Sequence, residues 1–380
     1  MSKKNSLKFS VVRALAAMGI ALLVAFLLIF VSAQGTTFGD KMSNSLAALQ
    51  QMLLRPLLKK SGKFAAKNFC DILAGMIPIM FTGLATCIMF AANQFNLGAE
   101  GGIMLGAFVT SLVAIYAPIP GPLLIVVAIL AGGLAVAVIM LIPSVLKAKL
   151  GVSEMVNSLM LNYVIMYILN FLMNSYLADR SKGITQTYAF RENAILPQII
   201  DNGSRFSWGW AIGIVVTILC WFFMYRTRWG YGIRMTGINQ PFVMYSGMNV
   251  PLIIILCQVI GGFLAGMGGG IEMLGRYQYY NWSALPGYGW TGITVAILAG
   301  NNPIFVPLAA FFMSYLTKGC SLMSMNANVP AQLIDIIQAV IFLFFAAQQF
   351  LSGYRQKLVI RSAQEELAAK AAASGERSDK

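Results

Sequence analysis

Histidine is absent from this chain, which removes the commonest metal ligand and the commonest general base. Charge is scarce as well: 11% of residues are Asp, Glu, Lys or Arg, where a soluble domain carries about a quarter. The five cysteines, Cys70, Cys87, Cys220, Cys257 and Cys320, lie in or beside apolar segments and never at a Cys-x-x-Cys spacing. They read as small core residues and not as a disulfide framework or metal site. No G-x-x-x-x-G-K-[ST] stretch occurs, so the chain cannot cradle ATP phosphates in a Walker loop. With no Ser/His/Asp set either, no catalytic constellation is visible, and an embedded enzyme is disfavoured.

What fills the chain instead is apolar. Of 380 residues 58% are hydrophobic, and the mean hydropathy is +0.73. A chain of this composition has lipid as its solvent, and because the apolar segments recur throughout it reads as one membrane domain. Its net charge of +14 then belongs to loops that orient the spans and meet anionic lipid headgroups. No basic stretch is interleaved with aromatics, so nucleic acid is not an expected partner.

A helix crossing the hydrocarbon core needs about 20 mostly apolar residues. Such segments run near 11–31, 70–94, 101–117, 121–143, 155–177, 207–225, 251–271, 288–300, 304–320 and 331–351. The expected fold is therefore an all-α polytopic membrane protein of about ten transmembrane helices. The first segment resembles a signal peptide in its flanks but is long for one, so it is read as a retained anchor. Residues 34–68 turn polar and then basic, and 46–58 can form an amphipathic helix lying on the bilayer. Several spans contain or abut Gly and Pro, and 288–300 is short; broken helices of this kind sit in a protein interior or beside a cavity.

Two halves of the chain look alike. The spans at 121–177 and 303–351 each open at a proline-bearing turn, and each follows a glycine-rich stretch with one glutamate, Glu100 in one and Glu272 in the other. If four spans from about 70 match four from 251, the single span at 207–225 inverts the second half, which is an inverted-repeat plan with the substrate path between the halves. Chance similarity between simple helices is the alternative.

The stretch RTRWGYGIRMTGINQPFVMYSGM at residues 226–248 is too long for a tight turn and too polar to span. Its aromatic and apolar residues can pack on a partner while its arginines meet acidic groups. By itself it would be an ordinary basic loop. Its spacing, R-T-R-x-G-x-x-x-R-x-x-G-x-N, resembles the coupling loop of ABC permeases of the ribose and branched-chain-amino-acid type. Further segments resemble the nucleoside and simple-sugar branch: FNLGAEG at 95–101, EMVNSLMLNY at 154–163, PGYGWTGITVAILAGNNP at 286–303 and VPAQLIDIIQ at 329–338. Where the family has proline followed by paired alanines, this chain has Gln240, Pro241, Phe242 and Val243. A matched partner follows from that departure.

The resemblance covers about residues 70–351 and implies an importer permease, multi-pass in a bacterial inner membrane. It implies that Arg226, Arg228, Gly230, Arg234, Gly237, Asn239, Tyr245 and Gly247 couple it to an ATPase. ATP and Mg would be held by two partner ATPase subunits, and this chain would bind no cofactor or metal. A second, homologous or identical permease and an extracytoplasmic binding protein complete the expected assembly. The implied division is an anchor at 1–33, a basic extracytoplasmic or interfacial segment at 34–68, a permease domain at 69–354 and a charged cytoplasmic tail at 355–380. A cytoplasmic N-terminus places Lys147, Lys149, Arg226, Arg228 and Arg234 inside, but leaves the basic 55–67 stretch, Arg191 and Arg205 outside, so charge bias does not decide the topology.

Polar side chains inside spans are costly unless they face a cavity or a partner. Asn96, Glu100, Glu154, Asn157, Asn162, Glu272, Asp335 and Gln338 are therefore candidates for the substrate path. For the glutamates, helix capping and substrate contact are equal readings; for Asn157 and Asn162, helix-to-helix bonding is the stronger one. Nucleosides are the expected solute by branch resemblance, with a simple sugar or a riboflavin-like compound as alternatives. An ion-coupled secondary transporter is the rival class.

Overall fold

The computed structural model describes residues 37–327 except 60, 61, 180, 182, 184, 201 and 202, together with scattered positions within 23–31 and 336–340. Asp335, Gln338, most of the expected last span at 331–351, the 355–380 tail and most of the expected anchor lie outside the described residues. The chain divides into two compact units. The first, residues 1–46 with 329–380, contributes helical residues within 23–31 and a ring pair, Phe30 with Phe38, at 5.3 Å. The second, Ala47–Asn328, carries the helices from Ala66 onward and the end of the helix before them.

No strand forms among the described residues, only isolated bridges between Leu58 and Phe64 and between Gln198 and Ser207. The elements are α1 (Phe38–Leu53), α2 (Ala66–Ala91), α3 (Ala99–Tyr116), α4 (Leu123–Leu150), α5 (Glu154–Leu172), α6 (Gly209–Arg226), α7 (Arg228–Ile238), α8 (Gln240–Tyr245), α9 (Val250–Arg276), α10 (Tyr288–Leu298) and α11 (Val306–Ala327). A π-turn, Met173–Leu177, extends α5. Among the described residues seven helices are long and apolar enough to cross a membrane, and α10 is a shorter apolar helix. The apolar segments expected between 70 and 320 therefore fall where hydropathy places them. The amphipathic helix expected over 46–58 instead runs over Phe38–Leu53.

Antiparallel alternation gives the bundle two ends. The near end carries α7 and α8; the C-terminus of α2, the C-terminus of α4 and the start of α5 lie there too. The far end carries the start of α2, the end of α9 and the later turns of α11, where Lys318 pairs with Asp71 at 2.7 Å. At that end the 178–208 segment is tied across the chain emerging from α9: Thr187 N–H donates to Tyr280 O at 3.0 Å, Phe190 N–H to Gln278 O at 2.8 Å and Leu196 N–H to Leu274 O at 2.9 Å. Beneath it Tyr280 is fully buried and meets Phe108 edge-on at 5.3 Å. Burial pushes its phenol well above the usual range.

The centre of the unit is α9, packed on α2, α3 and α4. Lipid offers no hydrophobic drive between helices, so close backbone approach must supply the attraction. Glycine provides it at one three-helix crossing. A Cβ on Gly106 would overlap the backbone of Gly266, one on Gly266 would lie 2.6 Å from Gly132 O, and one on Gly132 would lie 2.7 Å from Gly106 O.

Candidate functional site: a capped loop and a broken-helix crossing

The 226–248 stretch folds as two short helices because three polar side chains each cap a turn. Thr227 Oγ1 accepts from Gly230 N at 3.1 Å and starts α7. Asn239 Oδ1 accepts from Phe242 N at 3.1 Å and starts α8, and Asn249 Oδ1 accepts from Leu252 N at 3.1 Å and starts α9. Each cap is worth about 1 kcal/mol. Gly247, at φ +77°, makes the turn out of α8. At the base of the loop Ile233 and Val243 are buried. A Cβ on Gly237 would overlap the Ala91 carbonyl at the end of α2, and one on Gly230 would overlap Phe223 O. The loop is thus seated on α2 and α6 through glycine contacts.

Its cations divide by role. Arg226 and Arg228 are exposed. Arg234 is half-buried, its guanidinium stacked over the Tyr225 ring at 4.5 Å, so it braces α7 against α6. The tip is apolar and open: Ile238 is 77% exposed, Phe242 51%, Met244 63% and Tyr245 88%. The loop thus presents an apolar patch at its tip above a base seated by glycine contacts. Phe242 and Met244 stand beside Tyr245 in this open tip.

The candidate path residues gather at two breaks. Between α2 and α3, residues 92–98 leave helical geometry and strand backbone groups that lipid cannot satisfy. One face of α5 satisfies them. Glu154, Ser158 and Asn162 stand four residues apart, so they share a helix face. Glu154 Oε1 accepts from Phe95 N at 3.2 Å, Ser158 Oγ from Leu97 N at 2.9 Å, and Asn162 Oδ1 from Gly101 N at 2.9 Å while its Nδ2 donates to Leu97 O at 3.0 Å. Lys147 neutralises Glu154 at 2.7 Å. Asn96 turns inward, accepting from Gly98 N at 2.7 Å and donating to Gln258 Oε1 at 2.8 Å. Asn157 lies beside this stripe with its Nδ2 buried and unpaired. Ser158 and Gln258 escaped the sequence reading, although the spacing from Glu154 to Asn162 pointed to the first.

The second break, residues 277–287, joins α9 to α10, and the two breaks meet. Glu100, in the first turn of α3, reaches the first turn of α10: Oε1 accepts from Gly287 N, and Oε2 from Gly289 N at 2.5 Å and Trp290 N at 3.3 Å. A carboxylate at a helix N-terminus gains from the macrodipole as well as the hydrogen bonds. Thr82 Oγ1 donates to Tyr288 O at 2.9 Å, fixing the same turn from α2. Glu272, also fully buried, accepts from Tyr288 Oη at 3.2 Å and pairs with Arg276 at 3.3 Å. Glu100 and Glu272 therefore share one neighbourhood, while Asn96, Glu154 and Asn162 hold the other break.

Known proteins place this arrangement in context. A family model described as the branched-chain amino acid transport system/permease component matches residues 68–346. The guanosine ABC transporter permease protein NupP of Bacillus subtilis is 33% identical over 292 residues, covering 74% of this chain and 82% of its own. The nucleoside ABC transporter permease protein NupB of Lactococcus lactis is 30% identical over 298 residues, covering 76% and 81%. The glucose ABC transporter permease protein TsgB13 of Haloferax volcanii is 29% identical over 294 residues, covering 75% and 77%. No solved structure matches. With its membrane-crossing helices, its seated loop and a family match over most of its length, this chain belongs to the permease-component family of branched-chain amino acid transport systems.

Proposed function

We propose that this chain is the nucleoside permease of an ATP-driven importer, paired with a second permease, identical or homologous. The observation that carries the reading is the 226–248 loop, whose apolar tip is open while its base is locked to α2 and α6. Two ATPase subunits, holding ATP and Mg, dock on Ile238, Phe242, Met244 and Tyr245 at the near end, which is then cytoplasmic. Closure of the ATPases pushes the loop, and the glycine contact at Ala91 passes the displacement into α2. An extracytoplasmic binding protein delivers solute at the far end.

The breaks support an inverted repeat. The first follows a helix running from far end to near end, the second a helix running the other way, and α3 and α10 start side by side. A two-fold relation of this kind places the path at the crossing of the halves. The spans expected at 11–31 and 331–351 would complete ten.

Nucleosides follow from the two relatives named for them, NupP and NupB. A glucose permease at 29% identity makes a simple sugar the second reading. Co-reconstitution with the ATPase and binding protein tests both. Labelled guanosine should enter vesicles only with ATP and be unaffected by excess glucose. Uptake driven by an ion gradient without ATP would sink the importer reading, and glucose uptake without guanosine uptake would replace the solute.

A further inference from the structure

At the far end of the bundle a cavity of about 570 Å³ opens among α2, α9, α10, α11 and the segment before α6. Four cations line it, each from a different element: Lys67 in the first turn of α2, Arg205, Arg276 at the end of α9, and Lys318 on α11. One lining carboxylate, Asp71, takes Lys318 at 2.7 Å. Glu272, behind the wall, takes Arg276 at 3.3 Å, yet that arginine side chain stays 43% exposed. Arg205 donates to the Arg276 carbonyl at the C-terminus of α9. Counting both acids against the four cations leaves two positive charges in excess among the described residues. Like charges around a partly enclosed space repel, and an anion between them removes that repulsion.

Small and hydroxyl-bearing residues, among them Ser314, Thr317 and Ser321, make up most of the remaining wall, and two tyrosines stand in it. Tyr277 and Tyr288 both line the cavity, and both pack on Trp282, at 5.9 and 6.0 Å, which fixes their rings. The Tyr288 hydroxyl is committed to Glu272, so that residue offers its ring and not a donor. Clustered cations beside fixed tyrosine rings suit a phosphate ester whose attached group can lie against a ring face.

We propose that this cavity binds a phosphate ester, with Lys67 and its neighbouring cations on the phosphate and Tyr277 and Tyr288 beside the group it carries. Two sources share that chemistry. One is a phosphorylated, ring-bearing solute such as a nucleoside monophosphate; the other is an anionic phospholipid headgroup from the leaflet at that end. The transport reading decides only which face of the membrane the cavity meets, and phosphate binding does not depend on it.

The test uses the purified full-length chain in maltoside detergent. Guanosine monophosphate, guanosine and inorganic phosphate are titrated by calorimetry, and retention of phosphatidylglycerol against diacylglycerol is read by native mass spectrometry. Guanosine monophosphate binding at least tenfold tighter than guanosine identifies the soluble source. Selective retention of phosphatidylglycerol identifies the lipid. In either case Lys67→Gln, and Lys318→Gln made together with Asp71→Asn to leave no lone carboxylate, should each weaken binding about tenfold, whereas Lys67→Arg should retain it. The proposal is overturned if guanosine monophosphate, inorganic phosphate and phosphatidylglycerol show no preference over their uncharged counterparts, or if binding is unchanged in both charge-removing variants. Guanosine uptake failing in vesicles while phosphate still binds would count against the transport reading alone.

Discussion

Replacing Glu100 with alanine deletes the acceptor for three backbone N–H groups at the start of α10, those of Gly287, Gly289 and Trp290. Glu100 is fully buried, and water has no direct route to replace the lost carboxylate. Each buried donor left unpaired costs about 1–3 kcal/mol, and the lost charge–dipole attraction adds up to about 2 kcal/mol. Partial relaxation of a short helix recovers some of this, so we expect Glu100→Ala to cost about 3–6 kcal/mol. For a chain of this length, that corresponds to a fall in Tm of roughly 4–8 °C. Glu100→Gln keeps one acceptor oxygen but turns an amide NH2 toward a donor, and should fall between wild type and alanine. Thermal unfolding in detergent reads the loss, and hydrogen exchange at Gly289 and Trp290 localises it, since those two amides should exchange faster while the backbone of α2 does not. An alanine variant within 1 °C of wild type, with unchanged exchange at those amides, would refute the view that this carboxylate holds the starts of α3 and α10 together.

Other expectations follow from the same geometry. Gly237→Val drives a side chain into the Ala91 carbonyl, so ATP-dependent uptake should drop at least tenfold while membrane insertion, read by expression and gel filtration, stays normal. Phe242→Ala with Tyr245→Ala removes exposed apolar surface from the loop tip; affinity for the ATPase subunit should fall about 10- to 100-fold in a pull-down titration, with Tm unchanged. Asn162→Leu strands Gly101 N and Leu97 O and should cost about 2–4 kcal/mol in thermal unfolding. Asn157→Leu, which removes a buried amide nitrogen lacking a partner, should cost little or nothing, and a large loss there would show that the amide has a bonded role.

Among the described residues, hydropathy alone located the membrane-length helices, because the energetics of a lipid solvent act on the composition of about 20 consecutive residues. Boundaries shifted where polar groups have partners: α4 runs on to Leu150 because Lys147 pairs with Glu154 across the turn. The short α10 was legible from its glycines. The internal structure of 226–248 was not, since Thr227, Asn239 and Asn249 act as caps only once the chain turns after each of them. Roles of the buried polar residues were the least legible. Asn162 satisfies Leu97 and Gly101, some sixty residues earlier, and nothing local in either segment shows which backbone lies unpaired. In the structure Glu100, Glu154 and Asn162 each accept from backbone N–H groups of another segment.

The crossing at Gly106, Gly132 and Gly266 has a consequence at the level of the gene. Any single-base missense change in a glycine codon installs a residue with at least a Cβ, and at these three positions a Cβ meets backbone atoms that cannot step aside. Every such change must push whole helices apart, whereas a missense change at Tyr245 alters only surface. Mutational drift is therefore closed at the centre of the bundle and open at the loop tip, so descendants of this gene can alter that exposed surface without disturbing the helix crossing behind it.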